Sequence, residues 1–248
     1  MSARRRIDQQ PAWVLHHRPF RDSSRILDVL SRDYGRLSLV SRGSRAPRSR
    51  LAGILRPFMP LRLSWVIRSD LGTLTGAEVQ GAPVSLTGDA LLSGYYVNEL
   101  LLYMLHRHDP QPDIFSVYGD TVRRLAGRID VAPVLRRFEI ELLRMLGYAL
   151  NLDHATNGEN SLRPELQYEY RVEQGPVSVA EREGPMVFTG AELVAIQRQD
   201  FSEPAVLKSA GRLLRSVIAH HLGGKELNSR KVLKELMRAR DTQDRQEL

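Results

Sequence analysis

The chain has 248 residues, 42% hydrophobic and 26% charged, with no cysteine and a formal net charge of +7. That length and apolar share suit one large or two small packed domains rather than disorder. The absence of cysteine excludes disulfides and thiolate metal sites and fits cytosolic residence. MSARRRIDQQPAW carries charges but no apolar run behind them, so no signal peptide is expected. No stretch of about 18 apolar residues is available to span a bilayer.

From the N-terminus, AWVLHHR (12–18) reads as a strand leading into a turn at PFRDSS. RILDVLS (25–31) alternates only partly, which predicts a strand buried on both faces. RDYGR is a hairpin signal in which Gly35 supplies a positive φ. RLSLVSR alternates cleanly, with Leu37 and Leu39 on one side and Ser38 and Val40 on the other. LRPFMPLRLSWVI is the next strand, its start confined by Pro57 and Pro60 to an edge or bulge. SDLGTLTGAEV closes the set. Five short strands with no helical period among them suggest a small barrel over residues 1–80.

The period then changes. ALLSGYYVNELLLYMLHRH reads as a helix stopped by Pro110 and Pro112, DIFSVYGDTVRRLAGR as a second, and VAPVLRRFEIELLRMLGYAL as a third. The third has Asp130 as N-cap, Pro133 in its first turn, a Leu135–Phe138–Leu142–Met145 stripe, and Gly147 at its end. Residues 151–188 lose periodicity and suggest a small hairpin. TGAE at 189–192 is a capping box, and EPAVLKSAGRLLRSVIAHHL and SRKVLKELMRAR read as the last helices, separated by Gly223 and Gly224. The tail DTQDRQEL is expected to fray. The expected class is therefore multi-domain β plus α: a five-stranded barrel over 1–80, then a mostly helical domain over 81–248 with a hairpin insertion.

The positive charge is placed unevenly. Residues 1–80 hold 15 Arg, no Lys and 6 acidic groups, a balance of +9. The other 168 hold 21 basic and 23 acidic groups, a balance of −2. No acid lies between Gly35 and Ser69. Within that stretch VSRGSRAPRSRLAGIL (Val40–Leu55) carries Arg42, Arg45, Arg48 and Arg50, while Gly43, Pro47 and Gly53 argue against a helix or a good strand. Four like charges on one loop repel, and a polyanion relieves that repulsion. The expected nucleic-acid contacts are Arg18, Arg21, Arg36, Arg42, Arg45, Arg48 and Arg50, with Phe20 and Tyr34 as stacking aromatics and the loop flexible enough to track a phosphate chain. Trp65 shares a strand face with Leu61 and Leu63 and is expected in the core.

No residues carry a catalytic reading. There is no P-loop and no Gly-x-Gly-x-x-Gly after a strand. His16 and His17 are adjacent on a strand and point to opposite faces. His106 and His108 diverge at a helix end, so no metal and no cofactor is expected. Asn98 and Glu99, polar within an apolar helix, are expected to cap a neighbouring turn. The rival classes are a metal-dependent nuclease and an RNA-binding barrel protein; the first lacks an acidic cluster for magnesium in the basic region.

The stretches VLHHRPFRDSSRILDVLSRDYGRLSLVSRGSR, LRPFMPLRLSW, SGYYVNELLLYML, LRRFEIELLRMLGYALNLDH and LGGKELNSRKVLKEL, in this order, resemble the RecO family of bacterial recombination mediators. The resemblance implies an N-terminal OB barrel, a helical C-terminal domain, and binding of single- and double-stranded DNA. It also implies strand annealing without nucleotide hydrolysis and help to RecA in displacing single-stranded DNA-binding protein at gaps. The implied partners are RecR and the acidic tail of single-stranded DNA-binding protein, in a cytoplasmic, nucleoid-associated setting with no membrane. Many members carry a four-cysteine zinc site after the LGY helix. This chain has no cysteine and His154 stands in that neighbourhood, so the zinc is expected to be lost and 151–188 to hold by packing alone. A groove for the acidic tail needs apolar walls and cations. Leu135, Arg136, Arg137, Phe138, Leu142 and Lys225 are the residues expected to form it.

Overall fold

The computed structural model describes residues 5–46, 48–67, 70–127, 130–155, 161–232 and 235. The chain forms two compact units. One runs to residue 129 and takes in the chain from 227 onward; the other is Asp130–Glu226.

The first unit is built on five strands: β1 (Arg5–Phe20), β2 (Ser24–Ser31), β3 (Gly35–Ser41), β4 (Pro60–Ile67) and β5 (Leu71–Val79). They close into a barrel in the order β1-β2-β3-β5-β4, antiparallel throughout except for a parallel β3–β5 pairing. This is the OB topology. β1 starts seven residues before the alternating segment AWVLHHR. The polar run RRIDQQ pairs with β4, from Arg5 opposite Ile67 to Gln10 opposite Leu63, with a bulge between that lets one long strand serve both neighbours. Leu37 and Leu39 point into the barrel with Val14, Leu27, Val29, Leu61, Leu63 and a fully buried Trp65, as the alternation predicts. Each such side chain stabilises the fold by roughly 1.5–3 kcal/mol. Gly35 sits at φ +64, and a Cβ there would lie 2.0 Å from the Asp109 carbonyl oxygen, so this turn admits only glycine.

Two sequence expectations fail in this unit because distant partners override local signals. The arginine segment ends in a five-residue helix, α1 (Arg50–Ile54), although Gly53 lies inside it. Leu51 and Ile54 pack on the barrel core and Leu55 is fully buried, and that burial outweighs the propensity of the segment. α2 (Gly88–Met104) stops six residues before Pro110. Leu105 is drawn into extended backbone and its carbonyl accepts from Arg36 Nε at 3.1 Å. Pro112 opens α3 (Pro112–Leu125) rather than closing α2.

Outside the barrel wall, Asn98 of α2 donates to the Leu15 carbonyl at 2.8 Å and accepts from the Tyr118 hydroxyl of α3 at 2.8 Å, while Tyr118 meets Trp13 edge to face at 5.5 Å. Glu99 accepts the backbone N–H groups of Asn228 and Ser229 at 2.8 and 2.9 Å, at the start of the helical residues 228–232. Glu99 thus caps a helix start, as the sequence suggested, whereas Asn98 joins strand β1 to α3 rather than capping a turn.

The second unit holds α4 (Val131–Met145), a three-stranded antiparallel sheet of β6 (Gln167–Arg171), β7 (Gly175–Val179) and β8 (Val187–Thr189) in the order β7-β6-β8, then α5 (Gly190–Gln197) and α6 (Pro204–His221). Asp130 caps α4 through the Ala132 N–H, and Thr189 with Glu192 forms the capping box of α5. The hairpin gains a third strand because Val187–Thr189 pairs with the free edge of β6. The expected frayed tail, 241–248, lies outside the described residues.

Candidate nucleic-acid interface

The register of β1, β2 and β3 decides where the arginines meet. Pro19 pairs with Arg25, and Arg25 with Ser41, so the β1–β2 turn and the exit of β3 share one end of the barrel. Two hydrogen bonds fasten them: Arg45 N–H to the Ser23 carbonyl at 2.8 Å, and Arg45 Nη1 to the Arg21 carbonyl at 3.3 Å. Ser44 is buried and donates to the Ser41 carbonyl, and Ala46 N–H returns to the Gly43 carbonyl. The expectation of a flexible loop is thus corrected. Residues 41–46 are a pinned turn, because Arg45 donates from its backbone and side chain to carbonyls of the neighbouring turn while Ser44 and Ala46 donate within their own.

Arg21, Arg25, Arg42 and Arg45 converge at this end. The Arg21 guanidinium lies 5.2 Å over the half-buried Phe20 ring, and Arg18 stands exposed two residues before Phe20. Arg48 and Arg50 are exposed at the entry to α1. Among the described residues none of these seven forms an ion pair with a carboxylate; the barrel's acids Asp8 and Asp33 are paired with Arg6 and Arg32 instead. The cluster is a set of guanidinium forks with donors to spare for phosphate.

Tyr34 and Arg36 stand apart from it. Tyr34 belongs to the β2–β3 turn, at the opposite end of the eight-residue β2 and roughly 20 Å away, and Arg36 follows it in β3, opposite Leu30. Tyr34 is half-buried, edge-on to Trp65 at 5.4 Å and covered by the Arg5 guanidinium at 5.4 Å. Arg36 clamps the chain after α2: besides its bond to Leu105, its carbonyl accepts from His108 N–H at 2.9 Å. Burial, and the like charge of Arg107, lower the Arg36 pKa from its ordinary value.

Sequence reasoning missed Arg25, whose role comes from its pairing with Ser41; the arginines on both sides of the turn were the available signal. His17 pairs with Leu27 on the neighbouring strand. Burial, then the charges of Arg25 and His16, lower the His17 pKa from 6.5.

In the second unit the expected peptide groove is largely closed. Phe138 and Leu142 are buried in the core, and α4 buries Val134 and Leu143 beside them, so the stripe runs one residue off the predicted line. Arg136 is tied at 2.8 Å to Glu139, which is fully buried, and its guanidinium lies where a Cβ on Gly211 of α6 would meet it at 2.8 Å. Leu135 is half-buried. Arg137 is exposed, 5.7 Å over Phe201, and Lys225 is exposed after the Gly223–Gly224 turn.

The described residues of 151–188 pack around buried aromatics. Tyr168, Tyr170 and Phe188 are buried, the Tyr168 hydroxyl accepts from Arg163 N–H at 3.0 Å, and Gly175, at φ +93, lets the chain pass against Asn151. Burial raises the Tyr170 pKa, offset in part by its bond to the Asn151 backbone. His154 is exposed. Among the described residues no three or more His, Asp or Glu side chains come together in a way that could hold a metal ion, and no helix is long and apolar enough to cross a membrane.

A family model described as Recombination protein O N terminal matches residues 5–82, and one described as Recombination protein O C terminal matches residues 85–231. A curated protein named DNA repair protein RecO from Aromatoleum aromaticum is 46% identical over 237 residues, covering 95% of this chain and 99% of its own length. One of the same name from Azoarcus sp. is 44% identical over 241 residues, covering 96% and 99%. Another from Aliivibrio fischeri is 40% identical over 223 residues, covering 90% and 94%.

Proposed function

The chain belongs to the recombination protein O (RecO) family, and from that premise we propose that it is a non-enzymatic DNA-repair protein that binds and anneals DNA strands through its barrel. The observation that carries this reading is the meeting of Arg21, Arg25, Arg42 and Arg45 at one barrel end, with no carboxylate paired to them among the described residues. Annealing brings two polyanions together. Guanidinium groups that bind phosphates release counterions and lower the repulsion between strands. A base stacked on Phe20 keeps its pairing edge open. The pinned turn fixes the charges before DNA arrives, so little ordering entropy is lost on binding.

In this reading the protein acts in recombinational gap and break repair, helping RecA onto strands coated by single-stranded DNA-binding protein, with RecR as a partner. The acidic tail of single-stranded DNA-binding protein docks on the helical unit. Since Phe138 and Leu142 are core, its cations are Arg137 and Lys225 rather than Arg136. Arg137→Glu should weaken binding of a tail peptide about tenfold without changing DNA affinity. The barrel proposal is tested by annealing of two labelled complementary strands. Combined Arg21, Arg42 and Arg45 to Ala should slow annealing at least about tenfold at low salt while the melting temperature stays within a few degrees. An unchanged rate would remove this end of the barrel from the reaction.

A further inference from the structure

The outer faces of β1, β2 and β3 carry a polar row that the barrel does not need for its own closure. The register lines up His16, Asp28 and Ser38 across the three strands. Asp28 accepts from the Ser38 hydroxyl at 2.6 Å and lies 3.7 Å from His16 Nδ1. A fourth member arrives from elsewhere in the chain. Arg107, in the connection between α2 and α3, pairs with Arg36 in a parallel bridge and places Nη2 against the Ser38 hydroxyl and 3.9 Å from Asp28.

That connection is held on the barrel with some effort. Arg36 Nε binds the Leu105 carbonyl, His108 N–H binds the Arg36 carbonyl, Gly35 gives way to Asp109, and His108 takes a left-handed φ of 60. An anchor alone would end in a buried, satisfied side chain. Arg107 instead keeps 44% of its side chain exposed, and among the described residues its Nε and Nη1 make no hydrogen bond. Its neighbours are also cationic: Arg36 lies close enough to be acted on by the Arg107 charge, and Arg18 close enough to act on Asp28. Three guanidinium groups thus share one carboxylate.

We propose that Arg107 is a nucleic-acid contact residue outside the barrel sequence, with Asp28 and Ser38 as positioning residues that hold its fork toward a backbone phosphate. The strand then runs from the Arg21–Arg42–Arg45 end past Arg18, along the outer face, to the α2–α3 connection. This rests on the barrel reading above.

The test is fluorescence anisotropy of a labelled single strand titrated with the full chain across a salt series. Arg107→Gln should lower affinity several-fold and reduce the slope of log affinity against log salt by about 0.7, the value of one phosphate contact. Asp28→Asn should also weaken binding although it removes a negative charge; tighter binding would mean that the carboxylate opposes DNA, and would overturn its positioning role. An unchanged slope in Arg107→Gln, alongside a reduced slope in Arg42→Ala/Arg45→Ala, would make Arg107 an anchor only and overturn the proposal. Unchanged slopes in both would overturn the barrel reading and the proposal with it. Arg107→Lys, which keeps the charge without the fork, should restore the slope but not the full affinity.

Discussion

Arginine does different work in the two units. Around the β1–β2 turn, Arg21, Arg25, Arg42 and Arg45 have no carboxylate paired to them among the described residues, and the turn hydrogen bonds beneath them all end on backbone carbonyls. In Asp130–Glu226 four arginines are committed. Arg136 is bound to buried Glu139, Arg144 to Glu141, Arg171 to Glu169, and Arg212 lies 4.5 Å over Phe188 while it donates to the Val187 carbonyl. The difference follows from the supply of acids. In α4 a glutamate stands three residues from Arg136 and three before Arg144, on the same helix face. Between Gly35 and Ser69, the stretch that holds Arg42 and Arg45, there is none, and Asp22, beside Arg21, is the one acid of the β1–β2 turn. A guanidinium becomes a binding group where the chain withholds its counter-ion.

That contrast can be broken at its strongest point first. Glu139→Ala leaves Arg136 buried and unpaired, and should cost about 3–5 kcal/mol. Thermal unfolding followed by circular dichroism should show a fall of roughly 10 °C for a chain of this size. A loss under about 1 kcal/mol would mean that Arg136 relaxes to solvent and is not committed.

Arg212→Ala removes a charge-assisted bond and a cation–π contact, and should cost about 2 kcal/mol in urea unfolding with DNA affinity unchanged. Arg42→Ala should do the reverse, moving stability by no more than about 0.5 kcal/mol while weakening strand binding. Equal stability losses in the two variants would erase the distinction.

A smaller effect concerns acid. Burial alone would raise the Asp28 pKa, but hydrogen bonds from His16 and Ser38, with the charges of His16 and Arg18, bring it below 3.8. A carboxyl depressed on folding stabilises above its unfolded pKa, and that contribution is lost as pH falls through the folded value. Asp28→Asn should therefore lose less stability than the parent between about pH 5 and pH 2. Parallel pH profiles would show that the network around Asp28 does not stabilise the fold.

The barrel was legible because strand alternation reports burial directly: Leu37 and Leu39 against Ser38, and Trp65 with Leu61 and Leu63. The helix caps at Asp130 and Thr189 were legible because capping is local in sequence. What the sequence hid depends on distant partners. α1 forms because Leu51, Ile54 and Leu55 find the barrel core, and α2 ends where Arg36 takes the Leu105 carbonyl. The same limit governs the candidate site. The arginine-rich, acid-free stretch announced itself, yet the grouping of Arg25 with Arg21, Arg42 and Arg45 required the register of β1, β2 and β3. Tyr34 and Arg36, near the others in sequence, fell to the far end of β2. The α4 stripe was readable as apolar, but its buried side was not readable as closed.

The central claim is that one end of the barrel binds the phosphate chain. The salt dependence of single-strand binding tests it most directly, with the full chain compared against a variant carrying Ala at Arg21, Arg25, Arg42 and Arg45. Four lost contacts should lower the slope of log affinity against log salt by up to about 2.8. A slope equal to that of the parent, in a variant that melts at the same temperature, would contradict the claim.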